Sequence, residues 1–79
     1  MTYKAPSTEV LNAMDMYAIH LGKAGADGFK SIEVQKALGS NLEDMQQRSL
    51  ELLRTRGAQL GANRVQILAG ANKMVWEYP

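Results

Sequence analysis

The feature that most constrains this chain is a glycine-centred break between two amphipathic stretches. These stretches read SIEVQKAL and LEDMQQRSLELLRTRG, and only Gly39, Ser40 and Asn41 lie between them. Gly39 suits the left-handed residue that closes a helix, and Ser40 has capping-box spacing with Glu43. A stop signal followed directly by a start signal predicts two helices joined by a tight turn, helix 2 over about residues 31–38 and helix 3 over about residues 42–56.

The flanking segments predict one more helix and a hairpin. Apolar residues recur at helical spacing from Val10 to Leu21, behind a capping signal at Ser7, which predicts helix 1 over about residues 8–22. The glycine-rich stretch GKAGADG ends it. Downstream, RVQIL and MVWEY alternate with period two around AGAN, which predicts a hairpin over about residues 64–78. Trp76 is expected to contribute the most apolar surface to the core.

This order of elements resembles the winged helix-turn-helix superfamily. The residues that carry the likeness are Ser31, Glu33, Val34, Leu38 and Gly39 in the first helix of the motif, and Leu50, Leu53 and Gly57 in the second. The resemblance implies an α+β fold, a three-helix winged helix-turn-helix with a C-terminal β-hairpin wing, as a single domain over residues 1–79. The chain departs from the pattern at Gln35, where a small residue is usual, and at Met45, which is apolar in place of Gln46.

Composition excludes several classes of protein. Seventy-nine residues are enough for one domain, and the absence of cysteine excludes disulfides and thiolate metal sites. Nine Lys and Arg residues balance eight Asp and Glu residues, so net charge indicates no partner. The apolar runs are too short to span a membrane, and the N-terminus lacks a secretion signal. We therefore expect a cytoplasmic protein with no membrane partner.

No group of side chains has the spacing that catalysis requires. His20, the single histidine, falls at the predicted end of helix 1, where the helix dipole favours a protonated imidazole. The acids Glu43, Asp44 and Glu51 do not converge on one point of a helix, and GKAGADG lacks the Gly-Lys-Ser/Thr ending of a phosphate loop. We therefore expect no enzyme activity, cofactor, metal or small-molecule ligand.

The resemblance implies binding to double-stranded DNA, with helix 3 in the major groove and the wing on the backbone. Gln46, Gln47 and Arg48 are the candidates for reading bases. Ser40 and Asn41, at the start of helix 3, are candidates for holding a phosphate. Backbone contacts are expected from Arg54, Arg56, Arg64 and Lys73, in a stretch without acids. The expected function is a small sequence-specific transcriptional regulator.

An alternative belongs to another functional class. Asp44 and Glu51 lie on the exposed line of predicted helix 3, where they would face phosphates, and a balanced charge is unusual for a DNA-binding domain. The alternative is a protein–protein interaction module on the same scaffold, without DNA binding. Met16 and Ile19, on the side of helix 1 away from its core stripe, are expected to form a homodimer interface. The other reading is that the N-terminal tail or the hairpin covers them.

Overall fold

In the part of the chain that the structure describes, four antiparallel strands form one sheet and a helix lies on one of its faces. The computed structural model describes residues 15–39, 41–69 and 73–78. The strand order is β2-β1-β3-β4, so the helix connects an edge strand to an interior strand. In chain order the elements are β1 (Asp15–Gly25), β2 (Gly28–Gly39), α1 (Leu42–Leu52), a π-helical turn (Leu53–Gly57), α2 (Ala58–Leu60), β3 (Arg64–Ala69) and β4 (Lys73–Tyr78). The three helical pieces run on without a break and are called the helix below.

The predicted three-helix winged helix-turn-helix fold is wrong. Residues 15–22 of predicted helix 1 belong to β1, and predicted helix 2 lies inside β2. Residues 8–14 of predicted helix 1 lie outside the described residues. The C-terminal elements agree with the prediction in type, because a helix begins at Leu42 and β3 and β4 form an antiparallel hairpin. The helix continues beyond the predicted end at about residue 56 and ends at Leu60. That hairpin is half of a four-stranded sheet and does not stand apart as a wing.

The first two strands form because their period-two pattern coincides with a tight turn. Along β2, side chains at positions 33, 35 and 37 are half-buried, while those at 32, 34, 36 and 38 are exposed. Val34 and Leu38 are also four residues apart, which gave the helical reading. The Asp27-Gly28 pair, where the turn enters β2, is a strong hairpin signal, and Gly28 has a φ of 99°, in the left-handed region. Local pairing of β1 with β2 therefore overrides the helical spacing.

The core lies between the helix and one face of the sheet. Leu21 is opposite Val65, Ile19 is opposite Ile67, and both pairs point toward the helix. The predicted burial of Trp76 is confirmed at 2% exposure, with its ring stacked on Tyr78 at 5.9 Å between centroids. The buried apolar residues are Tyr17, Ile19, Leu21, Met45, Val65, Ile67, Ala69, Val75 and Trp76. We call the covered side of the sheet the helix face and the other side the open face.

Two asparagines join the helix to the sheet. At the helix start, the backbone N–H groups of Glu43 and Asp44 donate to Asn41 Oδ1 at 2.8 and 3.4 Å, so Asn41 is the N-cap, whereas the sequence indicated Ser40. Ser40 itself lies outside the described residues. After the helix, the Ala24 N–H donates to Asn63 Oδ1 at 2.9 Å. The Asn63 side chain therefore adds one hydrogen bond to β1, just before β3 begins.

A β-bulge interrupts the pairing of β1 with β2. Leu21 pairs with Glu33 and Gly22 pairs with Ser31, so Ile32 is the extra residue. The two strands approach so closely there that only glycine fits at position 22. A Cβ on Gly22 would lie 2.8 Å from Phe29 Cζ and 2.9 Å from the carbonyl carbon of Lys30.

Candidate functional site

The open face of the sheet carries the most unusual surface among the described residues. Residues that alternate with the core positions point there, and the strand register aligns them in rows. One row is Val34, His20, Gln66 and Glu77, and the next is Lys36, Ala18, Leu68 and Met74. A third row pairs Leu38 with Met16. The helix lies on the other side and does not cover any of these rows.

Large apolar side chains on this face are exposed to solvent. Met16 is 53% exposed, Ile32 46%, Val34 45% and Leu38 60%. Ile32 and Val34 lie on β2 before Lys36, Leu38 lies after it, and Met16 is opposite Leu38 on β1. We call these four side chains the apolar stripe. Isolated exposed apolar residues are common, whereas a contiguous patch marks an interaction surface.

The charges on the open face are unevenly distributed. Lys36 is exposed in the middle of the apolar stripe, between Val34 and Leu38. Among the described residues of this face the one acid is Glu77, which is 6% exposed. Glu77 accepts a short hydrogen bond from Gln66 Nε2, and its Oε2 lies 3.7 Å from Arg64 Nη1. The accessible charge beside the stripe is therefore positive.

Polar side chains form a second group beside the stripe. His20 Nδ1 lies 3.3 Å from Ser31 Oγ, and burial lowers the pKa of His20 below its ordinary value. His20 is therefore held in its neutral form over more of the pH range than a free histidine. The Nε atom of Arg64 is buried without a hydrogen-bond partner. His20 and Ser31, which are accessible, can orient a bound molecule by hydrogen bonding.

The contact between His20 and Ser31 does not amount to a nucleophile with its base. Such a pair needs a third group that orients the histidine, and Glu77 is the acid of this face. Glu77 is two strands away from His20, or about 10 Å at ordinary strand spacing, and it is bonded to Gln66. Within the described ranges there is also no group of three or more His, Cys, Asp or Glu residues that could hold a metal ion.

The free edge of β2 is poorly suited to pairing with another strand. The bulge at Ile32 distorts the first half of β2, and Lys36 occupies the middle of the straight half. Bulges and lysines on edge strands are the features by which proteins prevent edge-to-edge association. The open face next to this edge is therefore a better binding surface than the edge itself.

The residues predicted to contact nucleic acid do not form one surface. Gln47, Arg48 and Arg54 are exposed on the helix, together with the acids Glu43, Asp44 and Glu51, and Gln46 is half-buried. Arg64 and Lys73 lie at opposite ends of the β3–β4 hairpin, five residues apart in register and thus separated by about 17 Å.

Several of these side chains are already engaged within the protein. Arg56 forms an ion pair with Glu33 at 3.0 Å. Hydrogen bonds from Arg56 and from Gln35 lower the pKa of the Glu33 carboxyl. Asn41 caps the helix, and Arg64 lies beside Glu77. Among the described residues of the predicted set, the exposed basic side chains without an ion pair or a side-chain hydrogen bond are Arg48, Arg54 and Lys73.

The predicted dimer residues Met16 and Ile19 do not share a surface. The prediction placed both on one side of a helix, but this segment is β1, where residues three apart point to opposite faces. Met16 lies on the open face, and Ile19 is 1% exposed in the core. The sequence analysis did not identify Ile32, Lys36 or Leu38 as interface residues, although their alternation with half-buried residues was the signal for an exposed strand face.

Comparison with known proteins adds no relative to this description: no family model, no curated protein and no solved structure matches the chain. A search of the described residues for a helix both long and apolar enough to cross a membrane found none.

Proposed function

We propose that this protein is a protein-binding module that uses the open face of its sheet. The observation that carries the proposal is the apolar stripe, in which four large side chains on two adjacent strands are each about half exposed. The helix packs on the opposite face of the same sheet, and no described element lies over the open face. This is the interaction class expected as the alternative in the sequence analysis, on a different scaffold.

The apolar area gives a favourable free energy of the same order as the cost of association. Covering the exposed fractions of Met16, Ile32, Val34 and Leu38 is equivalent to burying about two whole side chains, worth about 3–6 kcal/mol. A partner that buries a similar area doubles this to about 6–12 kcal/mol. Association itself costs about 4–15 kcal/mol, so the net free energy of binding depends on the polar contacts. We therefore expect a transient complex whose orientation is set by Lys36, His20 and Ser31.

Binding to double-stranded DNA remains a prediction from the sequence, with less support from the described surface. The helix that was expected to enter the major groove exposes Glu43, Asp44 and Glu51 beside Arg48 and Arg54. Carboxylates repel phosphates, and the hairpin that was expected to act as a wing is built into the sheet. A salt titration of binding to mixed-sequence duplex separates the two functions, because phosphate contacts weaken steeply as salt rises.

The experiment that tests the proposal is a selection of binding peptides against the purified protein, followed by affinity measurement on two variants. Val34→Lys places a charge within the apolar stripe, and Gln47→Lys makes the same change in charge on the exposed helix. We expect the selected peptides to bind Val34→Lys at least about tenfold more weakly than the wild type, from the loss of about 1.4 kcal/mol of apolar contact. Gln47→Lys should retain wild-type affinity. Equal affinity for both variants would refute the open face as the binding surface.

A further inference from the structure

We infer that the open face binds an amphipathic segment rich in acids, whose apolar side chains cover the apolar stripe while a carboxylate pairs with Lys36. This inference rests on the proposed function and adds the chemistry of the partner. It follows from the charges of the face, from the blocked edge of β2 and from the spacing of three side chains along that strand.

The charge of Lys36 indicates the sign of the charge on the partner. Lys36 is exposed between Val34 and Leu38, so a molecule that covers the stripe also covers this ammonium group. The carboxylate of Glu77 is buried against Gln66 and Arg64 and does not reach Lys36, which lies three strands away on β2. A partner that covers the stripe removes water from this ammonium group, which favours a partner that supplies an acid beside it.

A second copy of this chain does not meet that requirement. Two copies packed open face to open face around a two-fold axis at the middle of the stripe would place one Lys36 against the other, with no accessible acid among the described residues of either face. Pairing through the β2 edge meets the bulge at Ile32 and the same lysine. The chemistry therefore favours a different molecule over self-association.

The spacing of the stripe fits two turns of a helix. Side chains two residues apart on a strand are separated by about 6.6 Å, so Val34, Lys36 and Leu38 span about 13 Å. On a helix, positions i and i+7 are about 10.5 Å apart and i+3 or i+4 lies between them on the same side. A helix with apolar residues at i and i+7 and an acid at i+3 or i+4 therefore brings each group within about 3 Å of its counterpart along the strand, and a segment of about 8–12 residues is sufficient.

A peptide pool with matched variants tests the inference. Helical peptides carry leucine at i and i+7, with Glu, Gln or Lys randomised at the positions between them, and are selected separately on wild type, Lys36→Glu, Lys36→Met and Val34→Lys. We expect Glu to be enriched on wild type, Lys on Lys36→Glu, and neither on Lys36→Met. For individual peptides, replacing the Glu by Gln should weaken binding to the wild type about 2- to 5-fold, the range for a surface ion pair, and less at high salt.

The outcomes separate the two proposals. If Val34→Lys abolishes selection while the wild type and Lys36→Glu enrich the same residues, the open face binds peptides but the acidic partner is refuted. If Val34→Lys selects peptides as efficiently as the wild type, the proposed function fails as well. Vesicles containing anionic phospholipid serve as the second probe. Binding to these vesicles that exceeds binding to every selected peptide, and that Lys36→Glu abolishes, would assign the face to a lipid surface and overturn the inference.

Discussion

Replacing Gly22 by alanine should destabilise the protein more than any other glycine-to-alanine change in β1. A Cβ at position 22 would lie 2.8 Å from Phe29 Cζ and would also meet the carbonyl group of Lys30. The phenylalanine ring can rotate away, but the carbonyl belongs to the backbone of β2 and moves only if the two strands shift at the bulge. Overpacking usually costs about 1–3 kcal/mol, and a fixed backbone neighbour places this case near the upper limit, at about 3 kcal/mol.

The size of this effect is readily measurable. For a domain of this length each kcal/mol lowers the melting temperature by about 4–8 °C, so Gly22→Ala should melt about 12–24 °C below the wild type. Urea unfolding, followed by far-UV circular dichroism and by the fluorescence of the single tryptophan, Trp76, gives the free energy directly. A Cβ at Gly25 would have no heavy atom within 4 Å, so Gly25→Ala is the matched control and should change stability by less than about 0.5 kcal/mol. Equal melting temperatures for the two variants would refute the close approach of the strands at position 22.

Three further changes test the hydrogen bonds of Asn41 and Asn63 and the titration of His20. Asn41→Ala removes the helix cap and should cost about 1 kcal/mol in urea unfolding, while Asn41→Asp retains the acceptor and most of the stability. Asn63→Ala removes the bond from the Ala24 N–H and should cost about 1 kcal/mol; a loss of less than a few tenths would count against that bond. For His20, the lowered pKa means that the unfolded chain binds the proton more readily, so stability is full above the unfolded value of 6.5 and falls as pH drops toward the folded pKa. His20→Gln should abolish this part of the decline in urea midpoints between pH 7.5 and pH 5.

The C-terminal half of the fold could be predicted because its sequence signals agree with one another. From Leu42 onward, good helix formers, apolar spacing and a capping residue all favour a helix, and the β-forming runs on both sides of AGAN favour the hairpin. In the N-terminal half the signals conflict. Tyr17 and Leu21 are four residues apart and also lie on one face of a strand, so periodicity alone does not distinguish the two structures.

The signal that resolves the conflict is the Asp27-Gly28 pair, which lies within GKAGADG, a glycine-rich stretch that is also consistent with a helix end. Between two alternating runs, that pair favours a hairpin over a helix end. The candidate site was beyond prediction once β2 had been taken as a helix. Val34 was assigned to a helix core, whereas its exposure follows from the helix covering the other face of the sheet, which is a tertiary feature.

The strand order also has a consequence for how the chain assembles. In the described part of the sheet, β1 and β2 are neighbours in sequence, as are β3 and β4, and hairpins of this kind form within microseconds. Pairing of β1 with β3 is slower, because these strands are separated in sequence by β2 and the helix. Pairing of the β1–β2 hairpin with the β3–β4 hairpin, through β1 and β3, is therefore expected to be the slow step; we call this β1–β3 pairing the seam. Substitutions within the seam, such as Ile19→Val or Ile67→Val, should retard refolding, whereas equivalent changes at the rim should mainly hasten unfolding.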